Sequence, residues 1–283
     1  MNPAHPPMSA VRDAVARALA EDLEPLGDVT AALLPPDLKG RGAIVPRVAG
    51  VLAGRPAADE TFRSVDPAIT VTWRADDGDA LTAGRPVADV EGPLASILTA
   101  ERTALNLLCH LSGIATATHR WVDVCAGRLT VWDTRKTTPG LRAMEKAAVR
   151  AGGGANHRGN LSEWVLLKDN HLAALGVTEA VRRARQRWPG RTVQVEADRL
   201  DQFVEAMDAG ADIVLLDNMT PDEVRACVAA RGEARLPLLE ISGGITFESL
   251  PAFVDTGADL VSAGALTASS PALDLGLDVE AVQ

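Results

Sequence analysis

The chain has little that would tie it to a membrane, a polyanion or an oxidising compartment. No apolar run in its 283 residues approaches the roughly 20 needed to span a bilayer. Positive charge is in short supply: 28 Lys and Arg face 38 Asp and Glu, giving a formal charge of −10 and a pI near 5.0. That balance argues against generic binding of nucleic acid or anionic lipid. Cysteine is scarce too. Cys109, Cys125 and Cys227 are odd in number and far apart. They form neither a disulfide framework nor a metal-binding knuckle, and suggest free, mostly buried thiols in a reducing cytoplasm. The start, MNPAHPPMSAVRDAV, lacks a basic segment followed by an apolar core, so no secretory leader is expected. The first eight residues, with three prolines, read as disordered. What remains, at 47% hydrophobic and 23% charged residues with no low-complexity tract, has the composition of a soluble cytoplasmic globule.

Against that background one stretch stands apart. Between Asp133 and His171 lie seven bases (Arg135, Lys136, Arg142, Lys146, Arg150, Arg158, Lys168) and four acids (Asp133, Glu145, Glu163, Asp169). His157, His171 and the glycines 152 to 154 fall in the same stretch. A basic cluster in an acidic protein focuses a small, highly anionic ligand onto one cleft. Arg142, Glu145, Lys146 and Arg150 also read as an ordinary solvated helix face. The segments DTRKTTPG and NHR do not, because they are crowded with donors and breakers and have no apolar period.

The chain before this stretch mixes elements without a regular beat. Ser9 N-caps a helix reaching Leu23, with Val11, Ala14, Val15, Ala18 and Leu19 at helical spacing. Residues 42–54 read as a strand pair, 56–65 as a helix, 69–73 and 86–91 as strands. Two helices follow, 94–109 and 113–125, in which Glu101 and Arg102 read as a solvated pair and His110 and His119 as structural. The sequence therefore predicts a separate α+β unit at the start.

From Leu129 the pattern becomes strand, helix, strand. Apolar runs at 129–132, 164–167, 192–195, 212–216, 236–241 and 259–263 alternate with helical stretches centred on 141–150, 177–188, 199–208, 221–230 and 246–256. Gly210 and Gly257 stand where helix C-caps belong. Continuously apolar strands alternating with helices imply a parallel sheet, and this many units favour a barrel. Polar residues and glycines crowd the strand exits: Asp133, Arg135 and Lys136; Lys168 to His171; Glu196; Asp217 and Asn218; Ser242, Gly243 and Gly244; Ser262 and Gly264. In barrels that C-terminal rim carries the active site.

Arg135, Lys136, His157, Arg158 and Lys168 have the chemistry to neutralise a dicarboxylate or a pyrophosphate. Glu196 and Asp217 suit Mg²⁺ or sugar hydroxyls. The backbone N–H groups at Ser242–Gly244 and Ser262–Gly264 suit a phosphate. The glycine run 152 to 154 completes neither a dinucleotide-binding fingerprint nor a Walker A loop. On residue chemistry alone, Lys168 at a strand end also fits a Schiff-base aldolase. A pure anion-binding module is disfavoured by the two acids at the rim.

Taken together, DTRKTTPGLR, EKAAVRAGGGANHR, LLKDNH, Val195-Glu196, LLDN and ISGGI, with ERTALNLLCHLSGIAT and SAGALT, resemble the quinolinate phosphoribosyltransferase family across nearly the whole chain. The resemblance implies an N-terminal α/β sandwich over residues 1–112, with 268–283 returning to it. It implies an incomplete seven-stranded α/β barrel over 113–267. It further implies a homodimer whose site borrows Arg102 from the partner, which overturns the solvated-pair reading of that residue. Quinolinate is then held by Arg102, Arg135, His157, Arg158 and Lys168, with Lys136 bordering both substrates. Glu196 and Asp217 take the ribose hydroxyls and Mg²⁺ of phosphoribosyl pyrophosphate, and Ser242, Gly243, Gly244, Ser262 and Gly264 cradle its 5′-phosphate. Lys136, Lys168, Glu196 and Asp217 are the implied catalytic set. A paralogue ribosylating another heterocyclic acid is disfavoured by so many retained cations. The chain departs from the family pattern at Ala147, Glu163 and Gln194. The last removes a charge expected near the metal and ribose, and is expected to leave the quinolinate clamp untouched.

Overall fold

The computed structural model describes residues 5–282 of the chain. They form two compact units. One takes the chain as far as His119, together with Thr137–Gly153 and the segment from Leu266 onward; the other takes Arg120–Lys136 and Gly154–Ala265.

The first unit opens on helix α1, Met8–Leu23. Its N-cap is Pro7, not Ser9, because the extended proline lends its carbonyl to the amides of Ala10 and Val11 at 3.0 and 3.3 Å. Val11, Ala14, Val15 and Leu19 are buried, as the spacing predicts. Of the residues read as disordered, the first four lie outside the described residues. His5 is fixed instead, its Nε2 3.4 Å from Asp76 and 3.6 Å from Asp77. Strands β1 (Lys39–Pro46) and β2 (Gly50–Val51) both form from the predicted strand pair, but do not pair with each other. Helix α2 (Arg55–Val65), strands β3 (Thr70–Trp73), β4 (Ala80–Leu81) and β5 (Ala88–Pro93), and helix α3 (Leu94–Cys125) follow. β2 pairs with β4, and β5 lies between β1 and β3 in an antiparallel sheet.

The sheet is packed by α3, whose Ile97, Ala100, Ala104, Leu105 and Leu108 join Ile44, Phe62 and Val90 in one core. Fully burying each large aliphatic or aromatic side chain here contributes about 1.5–3 kcal/mol. The two helices expected on either side of residues 110–112 are one helix. Gly113 does not break it: a Cβ there would lie 2.1 Å from the carbonyl oxygen of Pro271, so the glycine serves the close approach of a later segment.

Strand β6 (Thr130–Trp132) starts the second unit, after which helix α4 (Arg142–Ala151) returns to the first. The solvated-face reading of α4 fails for Glu145 and Lys146, which are buried. Glu145 lies 2.8 Å from Nε2 of His110 and accepts from the Thr138 amide at 3.1 Å, tying down the loop between β6 and α4. Burial of polar groups is affordable where partners are supplied, and no apolar stripe announces it.

The remaining elements are β7 (Val165–Leu167), α5 (Asp169–Leu175), α6 (Val177–Arg187), β8 (Val193–Ala197), α7 (Leu200–Asp208), β9 (Ile213–Asp217), α8 (Pro221–Arg231), β10 (Leu238–Ser242), β11 (Leu260–Ser262) and β12 (Leu275–Val282). All six apolar runs form strands, in one parallel sheet ordered β6-β11-β10-β9-β8-β7. A single parallel bridge, Trp132 to Ala155, adds a seventh segment beyond β6 and leaves the barrel open between it and β7. Gly210 takes the left-handed conformation just after α7, at φ +83°; Gly257 is left-handed too, at φ +86°, but no helix ends just before it to be capped. The helix expected at 246–256 shrinks to a short 3-10 turn, Leu250–Ala252, because Pro251 cannot donate in a helix interior. Finally β12 pairs antiparallel with β1, completing the first unit's sheet. No described helix is long and apolar enough to cross a membrane.

Candidate active site

The C-terminal ends of the parallel strands gather most of the residues singled out from the sequence. Just past β6, Asp133 is fully buried and accepts from the Asn156 side chain at 2.6 Å and from the His157 backbone N–H at 2.9 Å. It holds the segment that carries His157 and Arg158. Asp133→Ala removes the acceptor of both bonds, so the unfolding free energy falls by about 2 kcal/mol or more. Urea unfolding of the two proteins checks this.

Arg158 is buried, yet donates only from Nη1 to the Trp164 carbonyl at 3.2 Å; its Nε has no partner. Burial, and then the neighbouring Arg135 guanidinium, lower its pKa from the usual arginine value, with Glu163 opposing. A buried cation facing another cation is a site built for an anion, which relieves both the desolvation and the repulsion.

Lys168 precedes α5, where its backbone N–H donates to Nδ1 of His171 at 3.1 Å. His171 thus caps a helix that periodicity did not reveal. The Lys168 ammonium donates to Oε2 of Glu196 at the end of β8. An amine so engaged presents no lone pair, which disfavours the Schiff-base alternative.

At the end of β9, Asp217 accepts from the Asn218 side chain at 2.7 Å. Asn218 itself adopts a positive φ of 55° and donates its N–H to the Ser242 carbonyl at 3.0 Å. Gly243 packs so tightly here that a Cβ would meet the Asn218 amide nitrogen at 2.6 Å, and its φ is +83°. The hydroxyls of Ser262 and Ser242 are hydrogen-bonded at 3.0 Å, joining the two segments read as a phosphate cradle. Gly264 admits the Lys136 side chain, since a Cβ would lie 2.5 Å from Lys136 Cδ. Lys136, Ser242, Ser262 and the glycines 243, 244 and 264 therefore share one rim.

Gln194 is placed otherwise than the sequence suggests. It is fully buried, and its Oε1 accepts from Trp164 Nε1 at 3.0 Å and lies 3.1 Å from His157 Nε2. Its Nε2 donates to Oε2 of Glu240 at 2.5 Å. So this position does touch a residue of the expected clamp. Glu240 lies inside β10, where an acid in an apolar run (LPLLEI) gave no signal beyond its polarity. The rings of Trp132, His157 and Trp164 stack around the network, with centroids 4.9–6.1 Å apart.

Two expectations are not assembled here. Arg102 lies exposed on α3 in the first unit, 3.8 Å from Glu101. No group of three or more His, Cys, Asp or Glu side chains that could hold a metal occurs among the described residues. Glu196 and Asp217 as a pair instead suit a magnesium ion brought by a polyphosphate, because Mg²⁺ keeps waters and needs only one or two protein carboxylates.

The chain resembles known proteins over nearly its full length. Residues 28–112 match the family model described as "Quinolinate phosphoribosyl transferase, N-terminal domain", and residues 114–278 the corresponding C-terminal domain. A Mycobacterium leprae protein named nicotinate-nucleotide pyrophosphorylase [carboxylating] is 44% identical over 95% of this chain and 97% of its own. The human protein of the same name is 42% identical, covering 84% of this chain and 81% of its own. Among solved structures, the nicotinate-nucleotide pyrophosphorylase of Francisella tularensis superposes with a TM-score of 0.91 at 38% identity, covering 97% of each chain.

Proposed function

Because the chain belongs to the quinolinate phosphoribosyl transferase family, we infer that it is a carboxylating nicotinate-nucleotide pyrophosphorylase, a pentosyltransferase of NAD biosynthesis. Run in the biosynthetic direction, the reaction joins quinolinate to phosphoribosyl pyrophosphate and yields nicotinate mononucleotide, pyrophosphate and CO₂. The observation that carries the reading is the buried Arg158 close to Arg135, two cations of which Arg158 keeps an unpartnered guanidinium nitrogen.

In this reading Arg135, His157, Arg158 and Lys168 hold the two quinolinate carboxylates, and Lys136 borders both substrates. Glu196 and Asp217 hold the ribose hydroxyls, and the rim from Ser242 to Gly244 with Ser262 and Gly264 holds the 5′-phosphate through backbone N–H groups and hydroxyls. Magnesium, when bound with the second substrate, would neutralise charge developing on the departing pyrophosphate. The pyridine nitrogen donates its lone pair to the ribose C1 as the bond to pyrophosphate breaks. The carboxylates of Glu196 and Asp217 stabilise the cationic sugar, and Lys136 the leaving anion. The resulting pyridinium then accepts the electron pair of the breaking bond to the 2-carboxylate, CO₂ leaves, and a proton adds at that carbon. Lys168 is the candidate donor.

The two matched segments meet between residues 112 and 114, in keeping with a sandwich that ends at 112 and a catalytic barrel that begins at 113, and the pairing of β12 with β1 supports the return of 268–283 to the sandwich. The free thiols support the cytoplasmic setting: burial raises the pKa of Cys125 and Cys227 to about 11, making both inert. Arg102, exposed and only loosely paired with Glu101, fits a residue given across a homodimer to the partner's clamp. Arg102→Ala and Lys168→Ala are each expected to fold and to lose activity, while an equal, re-equilibrated mixture of the two recovers up to about a quarter of it. Verified mixed dimers without recovery would remove the shared site.

The reaction itself is tested with carboxyl-labelled quinolinate, phosphoribosyl pyrophosphate and Mg²⁺, with nicotinate as the parallel acid. Labelled CO₂ released together with nucleotide, and little turnover of nicotinate, is the expected result. Turnover of nicotinate alone would assign the chain to another acid.

A further inference from the structure

The buried acid Glu240 has no place in the chemistry just described, yet it touches that chemistry through one intermediary. Glu240 and Gln194 are both fully inaccessible, and polar groups are not buried without consequence. The orientation of the Gln194 amide is set by Trp164, whose indole nitrogen can only donate, so the Gln194 atom facing it is the carbonyl oxygen. The same oxygen lies 3.1 Å from His157 Nε2, so that nitrogen must carry a hydrogen. The amide nitrogen then faces Glu240, whose Oε2 accepts from it at 2.5 Å and lies 3.6 Å from His157 Nε2. Each link dictates the next: a donor-only indole, a carbonyl, an N–H on the imidazole, and a carboxylate that locks the amide from behind.

We propose that Gln194 and Glu240 are positioning residues that hold His157 as its Nε2–H form and in one ring orientation. His157 can then exchange a proton with a bound acid only at Nδ1. This rests on the reading that His157 belongs to the quinolinate clamp. The effect of Gln194 is selective for one substrate, because its amide touches Trp164, His157 and Glu240 and neither Glu196 nor Asp217; Glu240 reaches further, to the rim, through a hydrogen bond from Ser262. Trp132 and Trp164, edge-on and tilted against the imidazole, fix the plane in which it can turn. Without Gln194 the imidazole would lose the acceptor that selects the Nε2–H form.

The test combines ring ¹⁵N NMR of His157, assigned by the peaks lost in His157→Gln, with the Michaelis constants for each substrate. The wild-type spectrum should show Nε2 protonated; a ring protonated only at Nδ1 would overturn the proposal, whether or not any variant folds. Gln194→Leu is expected to raise the quinolinate KM about 10- to 100-fold while leaving that for phosphoribosyl pyrophosphate within about 3-fold, from the loss of one or two buried hydrogen bonds. Glu240→Leu should raise the quinolinate KM like Gln194→Leu, and, because it also frees Ser262, is expected to raise that for phosphoribosyl pyrophosphate as well. Glu240→Gln, which keeps an acceptor for the amide, should preserve the Nε2–H signature and raise the quinolinate KM by only about 3- to 10-fold. In folded Gln194→Leu, equal rises for both substrates or an unchanged quinolinate KM would reduce the pair to core packing. Absence of any turnover by the wild type would instead remove the assigned reaction, and the spectrum would still decide the tautomer.

Discussion

Arg158→Met is expected to be almost inactive on quinolinate and no less stable than the parent. The two halves of that result have one cause. Without a ligand, the guanidinium is buried beside Arg135, has an unpartnered Nε, and its pKa is held down first by burial and then by that neighbour. Replacing it with an apolar side chain of similar length removes a desolvated charge and a repulsion, at the cost of the single bond to the Trp164 carbonyl. With the ligand, the same side chain supplies two charge-assisted hydrogen bonds to a carboxylate, together about 3–6 kcal/mol, so kcat/KM for quinolinate should fall about 10²- to 10⁴-fold. A thermal scan without substrate should give a midpoint equal to or above that of the parent. Adding quinolinate should raise the parent's midpoint and leave that of the variant where it was. A variant that unfolds several degrees early would make Arg158 a structural residue and weaken the clamp reading.

Glu240→Gln should flatten the pH dependence of stability. Burial raises the Glu240 carboxyl from its ordinary 4.5 to about 7, while hydrogen bonds from Ser262 and Gln194 and the charge of Lys168 pull the other way. The folded protein therefore binds a proton between these two values that the unfolded chain has already released. Stability contributed by this group is highest below pH 4.5, falls as pH rises through the window, and stays low above 7. The full shift amounts to about 3 kcal/mol, an upper bound if His157, 3.6 Å away, carries charge. Glutamine cannot ionise, so urea unfolding at pH 5 and pH 8 should show the variant gaining on the parent at the higher pH. Equal dependence in both proteins would mean that Glu240 ionises freely, paired with an imidazolium.

The parallel strands were readable because burial on both faces leaves continuous apolar runs, and DIVLL at 212–216 admits no other reading next to a glycine-capped helix. The rim was readable for a related reason: polar residues that end an apolar run have nowhere to go but the strand exit. What could not be read are features that depend on partners distant in the chain. Gly113 looks like a helix breaker until the carbonyl of Pro271 occupies the space a side chain would need. Glu145 and Lys146 have the spacing of a solvated face, and only the arrival of His110 and Thr138 makes the burial of Glu145 tolerable. Gln194 shows the limit most clearly. Its neighbour in sequence, Glu196, suggests a role toward the sugar, but the residue is turned into the barrel toward Glu240, 46 positions later. A two-residue alternation tells which face a side chain takes, not what awaits it there. Arg102 is different again: the resemblance alone gives it a role, and the single chain shows an exposed guanidinium.

The pairing of β1 with β12 has a consequence for how the protein is made. Pro46 leaves the ribosome roughly 230 residues before its partner Leu275, an interval of roughly 10–50 s at about 5–20 residues per second. For that time β1 can be paired by β5 alone, on one side, while the segments that build the barrel are still being made. An unpaired edge invites other strands, and charge along it is the usual deterrent. Lys39 and Arg41 supply that charge on β1, and Arg47, just beyond its end, later closes on Asp278 through two hydrogen bonds of 2.5 and 3.0 Å. A chain truncated a few residues short of Leu275 would thus carry every strand of the parallel sheet and lack the last strand of the antiparallel one.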